Sequence, residues 1–299
     1  MMKLDAVLAF VAVAESGSIS AAGRRLELSK SVISQRLSDL EITLGTRLLH
    51  RTTRRMALTQ DGGRFLERAR RILREAEDAA AELGERRDQL VGALRIATPV
   101  SFGVLHLGPA INGFLARYPK IELTLDLDDR LVNVVADGYD AIIRHGPVVD
   151  AQVIVKRLAL SRRHLVAAPA YLRKHGTPTT LAELPGHRGI LYSNRAADWR
   201  FRTGRRDIVV RPETAVMRVN NGLIMRAAAV AGLGLALLPT YFVQAELAAG
   251  TLVVVDVNAE PERATLYLAY PTERRDSVKL RALADWLRAA FGNPPYWDA

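Results

Sequence analysis

The stretch "GSISAAGRRLELSKSVISQRLSDLE" occupies residues 17–41. Apolar residues recur in it at helical spacing, yet Ser34, Gln35 and Arg36 interrupt the pattern, with Arg24, Arg25 and Lys30 close by. Upstream, Leu4, Val7, Leu8, Val11 and Ala12 predict a first helix that ends at Glu15-Ser16-Gly17. Ser18 or Ser20 can cap a short second helix over Ala21–Leu26, whose Ala21-Ala22-Gly23 lets another helix approach closely. Glu27-Leu28-Ser29 makes a turn, Ser29 caps again, and a third helix runs from Lys30 to Leu44, stopped by Gly45 in a left-handed position. Ile33, Leu37, Leu40 and Leu44 form its buried stripe, while Lys30, Ser31, Ser34, Gln35 and Ser38 lie mainly off it. Two helices joined by a tight turn, the second opening on Ser, Lys, Gln and Arg, form a helix-turn-helix pattern. In such a unit the second helix enters the DNA major groove and reads base edges with its N-terminal residues.

The residue types suit that task. Glutamine pairs with adenine, and arginine or lysine with guanine. Ser29 and Ser31 can meet phosphates, as can the free amides of the helix start. The next segment, "GTRLLHRTTRRMALTQDG" (45–62), reads as two short strands forming a wing whose arginines meet phosphates or the minor groove. The candidate DNA contacts are therefore Ser29, Lys30, Ser31, Ser34, Gln35, Arg36, Arg51, Arg54 and Arg55. Arg36 fits either a phosphate contact or a solvated position. The alternative for the whole segment is a small helical subdomain with a solvated charged face.

The chain is long enough, at 299 residues, for two or three domains. Its net charge of +10 favours an anionic partner or ligand, and the densest basic cluster, residues 24–55, holds eight basic against three acidic residues. The absence of cysteine excludes disulfides, thiol nucleophiles and thiolate metal sites. No apolar run reaches the roughly 18 residues of a spanning helix. The opening "MMKLDAVLAFVAVAESGS" has signal-peptide features, but Asp5 interrupts its apolar run and Glu15 stands where a small-residue cleavage site belongs. A cytoplasmic protein with no membrane partner is expected.

Between residues 63 and 87, Phe65, Ala69, Ile72, Ala76, Ala79 and Leu83 are spaced 4-3-4-3-4, a heptad seam suited to pairing with another helix. The alternative is an amphipathic helix lying on its own domain. Beyond it, strand-like runs recur at 121–128, 139–146, 164–169, 234–239, 251–256 and 264–270 with helical segments between several of them, which predicts an α/β region with mainly parallel sheets. A final helix spans Val278–Phe291. The sequence holds no G-x-S-x-G, H-E-x-x-H or phosphate-loop lysine motif, so no enzyme reading is favoured. "GLGLAL" (232–237) precedes a strand instead of following one and reads as a helix-to-strand turn. The six histidines show no ligand spacing, so no metal and no cofactor are expected.

The segment from Phe10 to Gly62 resembles the N-terminal domain of LysR-type transcriptional regulators. Ala21-Ala22, Leu26, Ser34, Leu40-Glu41, Leu44-Gly45, Leu48, Arg51 and Leu58-Thr59 match that family's pattern; Leu49, Lys30-Ser31 and Asp61 depart from it. Later phrases match as well, among them "FLARYPKIEL", "GYDAIIRHG" and "AAAVAGLGLALLP". The resemblance implies an α+β multidomain chain. A winged helix-turn-helix (1–60) would be followed by a linker and dimerisation helix (61–88) and an effector domain (89–299). That domain would have two α/β lobes, about 91–161 plus 268–299 and about 162–267, resembling periplasmic solute-binding proteins. The implied partners are double-stranded promoter DNA with an inverted repeat, a small-molecule effector in the cleft, and further copies of the chain as a homodimer and a tetramer. A free-standing solute-binding protein is the alternative for the C-terminal part.

The effector expected is a small anion near Thr98, Pro99, Val100, Ser101 and Phe102, because Ser101 is placed to start a helix directly after a strand. Arg144 closes the strand "AIIRHG" within reach of the cleft, and Tyr192, Trp199 and Asn221 are candidates for the opposite wall. The alternatives are that Ser101 is only a helix cap and that Arg144 pairs with Asp126 or Asp128.

Overall fold

The computed structural model describes residues 1–51, 56–83, 90–146, 150–195, 199–204 and 206–298. The chain divides into two compact units, Met1–Gly92 and Ala93–Ala299.

The first unit holds α1 (Leu4–Ser16), α2 (Ile19–Arg25), α3 (Lys30–Leu44), β1 (Leu49–Arg51), β2 (Met56–Leu58) and α4 (Gln60–Leu83). Gly17 and Gly45 take left-handed φ values of 69° and 68° and end α1 and α3, as their places in the sequence predict. Ser18 caps α2 through the amide of Ala21, so the helix begins at Ile19, ahead of the expected Ala21. Ser29 caps α3 through Val32 at 3.3 Å. Phe10, Val13, Ile33, Leu37, Leu40, Leu48 and Ala69 form one buried core. β1 and β2 pair antiparallel, Leu49 opposite Leu58. The Glu41 carboxylate accepts from the amides of Leu48 and Leu49 at 2.8 and 3.2 Å, which ties the end of α3 to the start of the wing.

The heptad seam needs a correction. Phe65 packs on Phe10 with ring centroids 5.4 Å apart, and Ala69 is fully buried against the same core. The first three turns of α4 therefore close their own domain, and Leu73 packs on the same core. Ile72, half-buried, is the first seam position that this core does not take up.

The second unit contains two five-stranded sheets. The first is built from β3 (Val91–Thr98), β4 (Lys120–Leu127), β5 (Ala141–His145), β6 (Val153–Ser161) and β15 (Ala264–Pro271), in the order β4-β3-β5-β15-β6. Val100 opens a continuous helical run: α5 (Val100–Phe102), a π turn (Gly103–Leu107) and α6 (Gly108–Arg117). The second sheet is built from β7 (Arg163–Ala167), β8 (Arg188–Tyr192), β11 (Thr214–Val219), β12 (Leu235–Pro239) and β13 (Val253–Val254), in the order β11-β8-β12-β7-β13. α7 (Pro169–His175), α8 (Gly222–Val230), α9 (Thr240–Ala248) and α10 (Val278–Phe291) complete the helices. A small third sheet joins β9 (Arg200–Thr203), β10 (Arg206–Val209) and β14 (Glu260–Pro261).

The sheets are mixed, not mainly parallel. β3 with β5, β8 with β11 and β8 with β12 are parallel, but β15 runs antiparallel to both β5 and β6, and β7 runs antiparallel to β12 and β13. The antiparallel pairs flank the crossovers, where the chain leaves one lobe through β6 and returns through β15. That return strand starts at Ala264, so the expected lobe break at 267/268 falls inside it. "GLGLAL" is the helix-to-strand turn that its position predicts: α8 ends at Val230, Gly232 has φ 71°, and β12 follows. Among the described residues no single helix is long and apolar enough to cross a membrane, and no group of His, Asp and Glu could hold a metal ion.

Candidate functional site

On α3 the buried residues Ile33, Leu37 and Leu40 define one direction, and at about 100° per residue the opposite direction is that of Ser31, Gln35 and Ser38. Gln35 is exposed and donates through Nε2 to Asp39 Oδ1 at 2.8 Å. Ser29 and Ser31 share a hydrogen bond of 2.8 Å at the exposed helix start, beside the exposed Lys30. Ser34 and Arg36 sit half-buried on opposite flanks of this face. Arg36 turns toward α1 and donates to Asp5 at 3.0 Å, so it does not share the direction of Gln35. The side chain of Arg51, and Arg54 and Arg55 altogether, lie outside the described residues. Arg24, beside the turn, and Arg47, in the segment before the wing, were not among the candidate contacts, and both are exposed.

In the second unit a cavity of about 430 Å³ opens between the lobes. Thr98, Pro99, Ser101 and Phe102 line it, and Val100 contributes its amide at the same strand end. Ser101 does not cap the helix; Pro99 occupies the cap position. Thr98 and Ser101 are almost fully buried, and neither hydroxyl finds a hydrogen-bond partner. Arg144 and Tyr192 also line the cavity. The pairings considered for Arg144 are taken elsewhere: Asp126 binds Arg95 at 2.9 Å and Asp128 binds Arg130 at 2.7 Å. Burial alone holds the Arg144 guanidinium below its usual range.

Trp199 is not part of this wall. It is fully buried in the second lobe with Leu165, Tyr171, Phe201 and Leu235. It precedes β9, whose Phe201 is buried in that core while Arg202 and Thr203 are exposed, and so Trp199 anchors the lobe. Asn221 caps α8: its Oδ1 accepts from Leu223 and Ile224 at 3.0 and 3.3 Å, while its Nδ2 donates to Asp129 Oδ2 at 2.9 Å.

Several cleft residues escaped the sequence reading. Asp129 follows β4, and its Oδ1 accepts from the Val100 amide at 3.0 Å. His145 is half-buried, hydrogen-bonds Tyr241 at 3.0 Å, and leaves its buried Nδ1 without a partner. Burial, with Arg163, His106 and Arg195 nearby, pushes its pKa down to about 3, so the ring is neutral at pH 7. Phe102 packs edge-on against both His145 and Tyr241. Arg163, Arg195 and Arg263 complete the cationic lining. One signal could have found Asp129 and His145: both stand at the carboxyl ends of strands, where α/β sheets bind ligands.

Two family models match the chain. The model described as "Bacterial regulatory helix-turn-helix protein, lysR family" covers residues 4–63, and "LysR substrate binding domain" covers residues 87–292. The chain belongs to the LysR family of transcriptional regulators. It is similar to the HTH-type transcriptional regulator DmlR of Escherichia coli, with 32% identity over 96% of this chain and 94% of the relative. It is also similar to the HTH-type transcriptional repressor PA14_22550 of Pseudomonas aeruginosa, with 32% identity over 99% of this chain and 94% of the relative. Among solved structures, CrgA of Neisseria meningitidis, a LysR-type regulator, superposes with a TM-score of 0.60 at 29% identity over 97% of this chain and 99% of that one. The full-length Vibrio cholerae virulence activator AphB gives 0.59 at 26% identity over 96% and 99%. These LysR-type relatives are regulators, not enzymes. In this LysR-type chain the first unit is accordingly a DNA-binding domain and the second an effector-binding domain.

Proposed function

We propose that this regulator reads an imperfect inverted repeat near a promoter through Ser31, Ser34 and Gln35, with Ser29, Lys30 and the wing arginines Arg51, Arg54 and Arg55 on phosphates. It acts in the cytoplasm as a dimer paired through the second half of α4, and two dimers form a tetramer. Its effector is a small carboxylate bound between the lobes of the second unit. Binding shifts the population between arrangements of the reading heads, which requires that the effector favour one of them energetically.

The observation that carries the effector reading is the cavity lining. Two buried hydroxyls, Thr98 and Ser101, lack partners, and buried polar groups are normally satisfied. The lining also holds five arginines against three carboxylates. Of the five, Arg144 is half-buried and has no ion pair among the described residues. A carboxylate with an apolar body would satisfy the hydroxyls, compensate Arg144 and pack on Phe102.

The test is calorimetric titration of the full-length protein and its Ser101→Ala variant with aromatic and dicarboxylic acids. The expected result is binding that Ser101→Ala weakens by about tenfold, the worth of one hydrogen bond to a charged group. A tight neutral or cationic ligand, or a carboxylate effector bound equally by Ser101→Ala, would overturn this reading.

A further inference from the structure

We infer that Asp129 is a built-in occupant of the effector cleft: its carboxylate clasps the two lobes at their outer rim, and an incoming carboxylate binds by displacing it. The inference rests on the anionic-effector reading above and assigns its regulation.

Three contacts converge on this residue. Within the first lobe, Asp129 Oδ1 accepts from the amide of Val100, at the strand end where Thr98 and Ser101 offer their partnerless hydroxyls. Across the cleft, Asn221 Nδ2 donates to Asp129 Oδ2 at 2.9 Å and Asn194 Nδ2 donates to the Asp129 carbonyl. The Asn221 amide has no freedom to turn over, because its own oxygen is held by the Leu223 and Ile224 amides of α8. Its NH₂ group therefore faces Asp129 by construction.

Strand order places these contacts at the rim. Asp129 follows β4, and Asn221 follows β11. β4 is the edge strand of the first sheet farthest from the crossover strands β6 and β15, and β11 is the edge of the second sheet on the side away from β7, where the crossover enters. Bonds between these two edges hold the lobes together opposite the hinge.

The charge pattern says that the clasp is exchangeable. Of the three cavity carboxylates, Asp128 pairs with Arg130 and Glu262 with Arg195, both at 2.7 Å. Asp129 instead has no ion pair among the described residues and is held by neutral amide donors. A second carboxylate satisfies the same Val100 donor equally well. Once Asp129 gives up its place there, its alignment with Asn221 and Asn194 goes with it, and the rim is released.

The chain has no cysteine, so Glu122→Cys in the first lobe and Lys174→Cys in the second, both exposed in the native chain, give a clean pair for spin labels. Labelled chains diluted into unlabelled ones report the interlobe distance by pulsed electron resonance. Asp129→Ala removes the clasp. Asp129→Asn keeps an oxygen for Val100 but turns an NH₂ group toward the NH₂ of Asn221, so it breaks only the rim. Both variants are expected to lengthen and broaden the interlobe distance relative to the wild type. A distribution unchanged in both overturns the clasp. In parallel, sodium benzoate is titrated calorimetrically into the wild type and Asp129→Ala, with benzamide as the neutral control. The expected result is at least tenfold tighter benzoate binding by Asp129→Ala, with benzamide unaffected; equal benzoate affinities overturn the displacement. If neither benzoate nor any of the aromatic and dicarboxylic acids binds either protein, the anionic-effector reading fails by itself, and the interlobe distances still decide the clasp.

Discussion

Adjacent glycines in the first turn of α4 make opposite predictions. Gly62 and Gly63 both lie in the helix, where alanine normally gains about 1 kcal/mol over glycine. A Cβ on Gly63 meets nothing within 4 Å, so Gly63→Ala is expected to stabilise the domain by up to that amount. A Cβ on Gly62 would fall onto the Leu48 carbonyl, 2.9 Å from its carbon and closer still to its oxygen. This obstacle is backbone and has no rotamer to escape into, so the helix start and the wing must part by more than about 1 Å to restore normal contact. That movement strains two bonds, Gly62 N–H to Thr59 Oγ1 at 2.9 Å and Thr59 N–H to the Leu48 carbonyl at 3.0 Å. Each contributes about 1 kcal/mol, and overpacking adds about 1–3 kcal/mol. After the helix-propensity gain, Gly62→Ala is expected to cost about 2–4 kcal/mol. Denaturant unfolding of the full-length variants, with a duplex-shift assay on the operator, measures both effects. Gly62→Ala should also weaken DNA binding, since Leu48 anchors the wing. Two alanines of the same sign and size would refute the close approach of α4 to the wing.

Three further outcomes are expected. Gln35→Ala should relax the preference at one half-site position by about 1–3 kcal/mol while leaving non-specific binding intact; an unaltered preference in a binding-site selection would remove Gln35 from the reading face. Ile72→Asp puts an unpartnered charge on the part of α4 that its own core leaves free, so sedimentation should show loss of dimer mass with the lobes still folded, and an intact dimer that binds operator would reject the seam. His145 gives a pH dependence: its unfolded imidazole takes up a proton near 6.5, whereas the folded one stays neutral down to about 3. Its contribution to stability is therefore full above pH 6.5 and lost as pH falls toward 3, about 2 kcal/mol between pH 7 and pH 5. His145→Gln should flatten that loss, and an unchanged slope in denaturant titrations at the two pH values would contradict the neutral buried ring.

The first unit was legible because its signals are local. Gly17, Ser18, Ser29 and Gly45 punctuate the helices, and each acts within four residues of its place in the sequence. The α4 seam misled because Phe65 and Ala69 have the same spacing whether they meet another chain or Phe10, and periodicity does not name the partner. The cleft was half legible. Thr98 to Phe102 and Arg144 stand at strand ends that the pattern marks. Trp199 was misplaced because the fate of an aromatic beside a strand depends on which face the sheet buries. Asp129 was passed over because its role comes from Asn221 and Val100, which only the folded chain brings to it. The mixed strand directions were likewise hidden, since a single strand carries no mark of its neighbour's direction.

The burial of Phe65 and Ala69 has a mechanical consequence. Because the first turns of α4 are part of the same solid core as α1 and α3, the reading helix and the long helix move as one body. A helix of 24 residues is about 36 Å long. Tilting it by about 10° around its far end swings the reading helix through roughly 6 Å, nearly two base-pair steps of about 3.4 Å each. The long helix is thus a lever arm, and in the proposed dimer a small change of angle where two such helices meet would become a change in the spacing of operator half-sites that the protein can grip at once.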